Sequence, residues 1–298
     1  MNKPSLEFLE IMLTSACNLS CHGCTTFSDL KHQGYVPWSQ GKSWLEAWVP
    51  RLDIQAVGII GGEPLMNPHI RDYIQGIRDL LPNAQIRMVT NGLLLNKHFD
   101  LVDLLDSVGN AVLKISYHVD DPGLNNTIER IMQYKPWTPI TEFGINRFVS
   151  PSGMRFQIAR PVQFVKTFKN EYENMMPHNN NPARSFEICV QKRCPMLLDG
   201  KIWKCGTLAL TPRILQRMGS PNIDSWLPYI DPGLTADCSD KELQAFVDNF
   251  GKPNRICAQC PSADDAESLI NHRSTVTFKT KSYLTKSINY EVDSTGNM

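Results

Sequence analysis

The sequence predicts an α/β fold on a parallel sheet curled into a barrel or part of one, with a small cysteine-rich appendage. Three observations lead there. Short apolar strands alternate with helix-period segments up to about Pro161. Turn residues punctuate the strand ends. Six of the nine cysteines then crowd into Glu187–Pro261, where regular periodicity fades.

Taken in order, Leu6–Leu13 suits a strand running into Cys17. Ser39 is placed to cap a helix over Gly41–Val49, with Trp44 and Trp48 on one side. Ala56–Ile60 is a buried strand that ends in Gly61-Gly62. Ile70, Tyr73, Ile74, Ile77 and Leu81 recur at helical spacing. Gln85–Val89 is the next strand, closed by Thr90-Asn91-Gly92. A helix over Lys97–Ser107, a strand over Ala111–Tyr117 and a helix over Leu124–Tyr134 follow. Phe143–Val149 and Met154–Ile158 read as strands flanking the turn Ser150–Gly153. Right-handed crossovers would gather the loops at the strand C-terminal ends, where a barrel places its chemistry.

Composition narrows the function. Thirty basic and thirty acidic residues cancel, which gives no overall signal for nucleic acid or an anionic membrane. No apolar run approaches the ~20 residues a membrane span needs, and Met1–Glu10 lacks signal-peptide features. A cytoplasmic location is therefore expected. In a reducing compartment, nine cysteines point to metal or redox chemistry over disulfides.

Cys17-x3-Cys21-x2-Cys24 places three thiols in one loop. Three thiolates on a 4Fe–4S cluster leave one iron for a small molecule, the logic of an open catalytic metal site. The alternative is a zinc knuckle, with His22 or a distant residue as fourth ligand.

The Cys17/Cys21/Cys24 loop after a first strand, followed by Gly61-Gly62-Glu63-Pro64 after a second, resembles the radical S-adenosylmethionine (SAM) superfamily. The resemblance covers roughly residues 6–160. It implies a partial (β/α)6 TIM-like barrel and a 4Fe–4S cluster whose open iron chelates SAM. It also implies an electron donor such as flavodoxin or ferredoxin, and a 5′-deoxyadenosyl radical that takes hydrogen from a peptide or small-molecule substrate. Gly61 and Gly62 would let the backbone approach SAM. Glu63 would add a charge-assisted contact, and Pro64 would stiffen the turn. Asn91 and Ser116, at the third and fourth strand ends, are further SAM contacts by the same resemblance. One departure concerns the residue before the third cysteine, often aromatic in the family and here Gly23; Phe27 is the nearby substitute for an adenine contact.

Cys189, Cys194, Cys205, Cys257 and Cys260 form a second group that resembles the SPASM or shorter twitch auxiliary-cluster region. Four of the five would close a second 4Fe–4S cluster or a structural zinc site. Cys205, Cys257 and Cys260 are three of them. Cys189 is preferred as the fourth, with Cys194 the alternative because it pairs with Cys205 across a hairpin at Met196–Lys204. Cys238 reads as a small buried residue or a free thiol. The implied organisation is a core over 1–185, an auxiliary domain over 186–265 and a partly disordered tail over 266–298.

Two function classes follow. One is a radical enzyme, with Tyr117, His118, Asp120, Asp121 and Arg147 as candidate substrate contacts near strand ends. The other is a non-catalytic metal-binding module. It explains the cysteines but leaves the Gly-Gly-Glu-Pro turn without a role.

Overall fold

A computed structural model describes residues 3–30, 32–142, 145–161, 163–265, 269–271 and 276–278. Its main sheet has nine strands: β1 (Leu9–Met12), β2 (Ala56–Ile60), β3 (Gln85–Thr90), β4 (Ala111–Ser116), β5 (Thr138–Glu142), β6 (Ile145–Val149), β7 (Arg155–Ala159), β8 (Met196–Leu198) and β9 (Lys201–Trp203). Their order is β9-β8-β1-β2-β3-β4-β7-β6-β5. The run β8-β1-β2-β3-β4-β7 is parallel throughout, and β9, β6 and β5 add to it antiparallel. This is the parallel-rich α/β sheet expected of a partial barrel.

Helices α1 (Trp38–Trp48), α2 (Ile70–Leu80) and α3 (Leu101–Val108) connect β1 to β4 in turn, and α4 (Pro122–Tyr134) follows β4. Their apolar faces cover one side of the sheet. Tyr73, Ile74 and Ile77 of α2 are fully buried with Ile11, Val57, Ile59, Ile86, Met88 and Leu113 from the strands. Each such aliphatic side chain contributes about 1.5–3 kcal/mol by leaving water. Covering that face forces the alternate strand residues inward, toward the concave side.

Three local readings change. The first helix starts at Trp38, so Ser39 lies inside it; Pro37 precedes it with φ −65° and sets the entry. Strand β5 is absent from the sequence reading because Pro139 argues against a strand. The sheet accepts it at its outer edge. The hairpin β8–β9 was expected within the cysteine-rich region. It is hydrogen-bonded into the main sheet instead, with Met196 opposite Glu10, and Trp48 Nε1 donates to Gly200 O at 2.9 Å.

Among the described residues, the longer helices that follow are α5 (Pro182–Ile188), α6 (Gly206–Met218) and α7 (Asp240–Asp248). Ser239 and Glu242 form a capping box at the start of α7. Leu19–Cys21 pairs with Val276–Phe278, and Gln163–Val165 with Leu269–Asn271. Most of the expected tail lies outside the described residues. No described helix is long and apolar enough to cross a membrane.

Candidate functional site

The loop after β1 carries Cys17, Cys21 and Cys24. Tight turns shape it: Cys24 N donates to Cys21 O at 3.0 Å and Phe27 N to Cys24 O at 2.9 Å. Leu19 N points at Cys17 Sγ at 3.4 Å, and Cys24 Sγ lies 3.2 Å from Thr26 Oγ1. Gly23 takes φ +76° at the bend between the second and third thiols, a conformation that suits glycine. Phe27 is not available to a ligand. It is 1% exposed and packs against Phe168 and Tyr172.

Gly61 and Gly62 hold this loop from beside it. Gly62 N donates to Thr14 O at 2.7 Å, and Glu63 N to Ala16 O at 2.9 Å. A β-carbon on Gly62 would lie 2.4 Å from Ala16 O and 2.9 Å from Cys17 Cβ. The glycine is thus required by the cysteine loop itself.

Glu63 is fully buried behind the cavity wall, and Pro64 is buried beside it. The Glu63 carboxylate accepts from Leu65 N at 3.0 Å, Thr90 Oγ1 at 2.7 Å and Asn91 N at 2.7 Å. It ties the second strand end to the third. Asn91 passes the tie onward: its Nδ2 donates to Asn18 Oδ1 at 2.7 Å and lies 3.8 Å from Cys17 Sγ. Burial pushes the Glu63 carboxyl up to about 7 despite these donors. Replacing Glu63 by Ala strands three buried donors and is expected to cost roughly 2–5 kcal/mol in denaturant unfolding. The folded-state pKa lies above the unfolded one. The carboxyl's contribution is therefore full below about 4.5 and declines as pH rises through 7.

These loops open onto one cavity of about 650 Å³, within the range of small-ligand sites. Cys17, Cys21, Cys24, Gly61, Gly62, Asn91 and Ser116 line it together. Of the candidate substrate contacts, His118 lines it. Tyr117 turns aside, its hydroxyl bonding to Asp120 and Asn125, while Asp121 caps α4. Arg147 lies on β6, outside the lining.

The sequence reading missed Glu10, Lys114 and Arg160 in the same lining. A signal was present: one charge inside each of two apolar strands, Leu9-Glu10-Ile11 and Leu113-Lys114-Ile115. Cys194 lines this cavity too and bonds to Glu10. Desolvation pushes the Glu10 carboxyl up to about 7, opposed by the Cys194 hydrogen bond and by the nearby Lys114 charge.

A second, smaller pocket is lined by Cys189, Cys205, Cys257 and Cys260. Asn181 caps α5 through Ala183 N and Arg184 N, and Ser185 Oγ donates to Cys260 O at 2.8 Å. Burial raises the Cys260 thiol well above its usual value, and Cys205, Cys189 and Cys257 raise it further. Cys205 is pushed up to about 12 for the same reasons, burial first. Crowded buried thiols resist ionisation unless a cation joins them, so the donor set fits a metal centre. Cys238 lies apart, 3.4 Å from Arg51 Nη1.

Among the described residues, no three His, Cys, Asp or Glu side chains converge as the ligands of a single metal ion. A cuboidal cluster makes a different demand. Each thiolate binds its own iron around a shared space, and both cysteine groups line such a space.

Comparison with known proteins follows the same lines. Residues 11–139 match the profile of the Radical SAM superfamily. Curated relatives include GTP 3',8-cyclase of Petrotoga mobilis, 30% identical over 42% of this chain and 39% of that protein. The enzyme of the same name from Aquifex aeolicus is 28% identical over 41% and 38%. This chain therefore spans well under half the length of these relatives. Among solved structures, BtrN in complex with AdoMet and 2-DOIA is 12% identical, with a TM-score of 0.47 over 88% of this chain and 95% of that one. Streptococcus suis SuiB bound to precursor peptide SuiA is 20% identical, with a TM-score of 0.36 over 44% and 30%. The three-cysteine loop, the glycine turn beside it and strands β2 to β4 all lie within the segment that matches the radical SAM superfamily, a family of enzymes that use a 4Fe–4S cluster and SAM.

Proposed function

We propose that this protein is a radical SAM enzyme whose catalytic 4Fe–4S cluster is held by Cys17, Cys21 and Cys24. The observation that carries the proposal is one cavity lined by all three thiols together with Gly61, Gly62, Asn91 and Ser116. When bound and reduced, the cluster supplies the electron that cleaves SAM to methionine and a 5′-deoxyadenosyl radical, which takes a hydrogen atom from substrate. Gly61 and Gly62 keep the cysteine loop close to the strand ends. Asn91 orients the loop through Asn18, and Ser116 offers a hydroxyl to SAM. Glu63 acts from behind as a brace. Flavodoxin or ferredoxin is the expected class of donor, and the substrate is a peptide or a small molecule.

Anaerobically reconstituted protein, reduced and given SAM, should yield 5′-deoxyadenosine. Brown protein that never cleaves SAM would favour a metal-binding module instead.

Cys189, Cys205, Cys257 and Cys260 are proposed to hold an auxiliary cluster of the twitch kind. Their shared pocket favours Cys189 over Cys194. Iron should fall from about eight to about four per chain in Cys189→Ala, while Cys194→Ala should keep all of it. The reverse result would exchange the two cysteines.

A further inference from the structure

The cavity holds more charge than the proposed SAM contacts use. Glu10 on β1 and Lys114 on β4 each sit two residues before a strand end, with Met12 and Ser116 at those ends. That places them about 7 Å deeper than the loops that carry the cysteines and glycines. Both line the cavity, as do His118 and Arg160 just past the ends of β4 and β7. Asp29, the other carboxylate of the lining, is engaged elsewhere: it accepts from Tyr172 Oη at 2.7 and 2.8 Å.

Charges on the concave face of central strands lose hydration, so stability alone does not explain them. The surroundings also make room for them. Gly58, opposite Glu10 in the sheet, would bring a β-carbon to 2.6 Å from Phe8 Cζ and 3.1 Å from Glu10 Cγ, so its lack of a side chain leaves room for both. Lys114 is near enough to favour the Glu10 carboxylate, yet among the described ion pairs none joins them. Lys114 pairs with Gln157 on the adjoining strand, and Arg160, just past the end of that strand, stacks 3.8 Å over the Tyr117 ring. The cavity lining therefore carries an acidic group, Glu10, bonded to Cys194, and a basic set, Lys114 and Arg160, that no described ion pair joins to it.

We propose that this inner end receives a small zwitterionic substrate, an α-amino acid or a close relative, with its ammonium on Glu10 and its anionic group on Lys114 and Arg160. A neutral internal peptide segment would leave both unmatched. A simple anion would meet repulsion from Glu10. The inference rests on the radical SAM reading, which assigns the outer end of the cavity to SAM.

The test uses reconstituted protein with SAM bound and no reductant, so that SAM's own amino-acid end is already placed. Saturation-transfer NMR then compares free α-amino acids with their N-acetyl amides, with acetate and with ethylamine. Free amino acids should bind selectively. Glu10→Gln and Lys114→Met should each weaken that binding roughly tenfold or more, with folding checked by circular dichroism and SAM affinity unchanged. Equal binding of the singly charged or capped probes would overturn the proposal. So would unchanged binding in both variants, or parallel loss of SAM affinity, which would return these residues to the SAM site. Failure of the wild-type protein to bind SAM would sink the radical SAM reading as well, which separates the two failures.

Discussion

Cys17→Ala is expected to reduce SAM cleavage to background while leaving the Cys189 group loaded. Cys17 is tied into the surrounding frame. It faces Leu19 N, and it lies beside the Asn91 amide that Glu63 fixes through the Asn91 backbone. Two remaining thiols cannot present a cluster with a single open iron. Iron should fall from about eight to about four per chain, and the residual cluster should belong to Cys189, Cys205, Cys257 and Cys260. Full cleavage in the variant would move the catalytic cluster to other cysteines.

Gly62→Val is expected to do nearly as much damage from a position that binds no iron. The new β-carbon would meet Ala16 O at 2.4 Å and Ala16 C at 2.7 Å. Those are backbone atoms, so no rotamer change relieves the contact. The cysteine loop must move, losing its bonds from Gly62 N and Glu63 N to the Thr14 and Ala16 carbonyls. Overpacking of this kind costs typically 1–3 kcal/mol or more. SAM affinity should fall at least tenfold by isothermal titration, and iron should be lost from the N-terminal site while the second site keeps its own. Normal affinity and normal iron content would show that the loop tolerates displacement.

Much of the fold was legible because the helices need an apolar stripe and the strands an apolar run. Ile70, Tyr73, Ile74 and Ile77 announce α2, and Ala56–Ile60 announces β2. The edge strand β5 was hidden because its proline is tolerated only where a sheet ends. The hairpin at Met196–Lys204 was readable from its local pattern, but its place beside β1 depends on pairing across almost two hundred residues. The cysteine motif and the glycine turn were equally plain. The duty of Glu63 was not, because sequence gives no direction for a side chain, and this one points inward to three donors. Cys194 could be sorted from Cys189 only by which cavity each faces. Glu10 and Lys114 are single charges within apolar parallel strands, and it is the cavity that distinguishes them from a charge such as Arg87, which sits mid-strand in β3 but is exposed and outside the lining.

The central claim is that three thiolates of the N-terminal loop leave one iron open and that SAM fills it. Electron paramagnetic resonance of the reduced, reconstituted protein tests this directly when the second cysteine group has been replaced by alanine. Adding SAM should change the spectrum of the remaining cluster, and the change should vanish in Cys17→Ala. A spectrum from the intact loop that stays the same at saturating SAM would contradict the account.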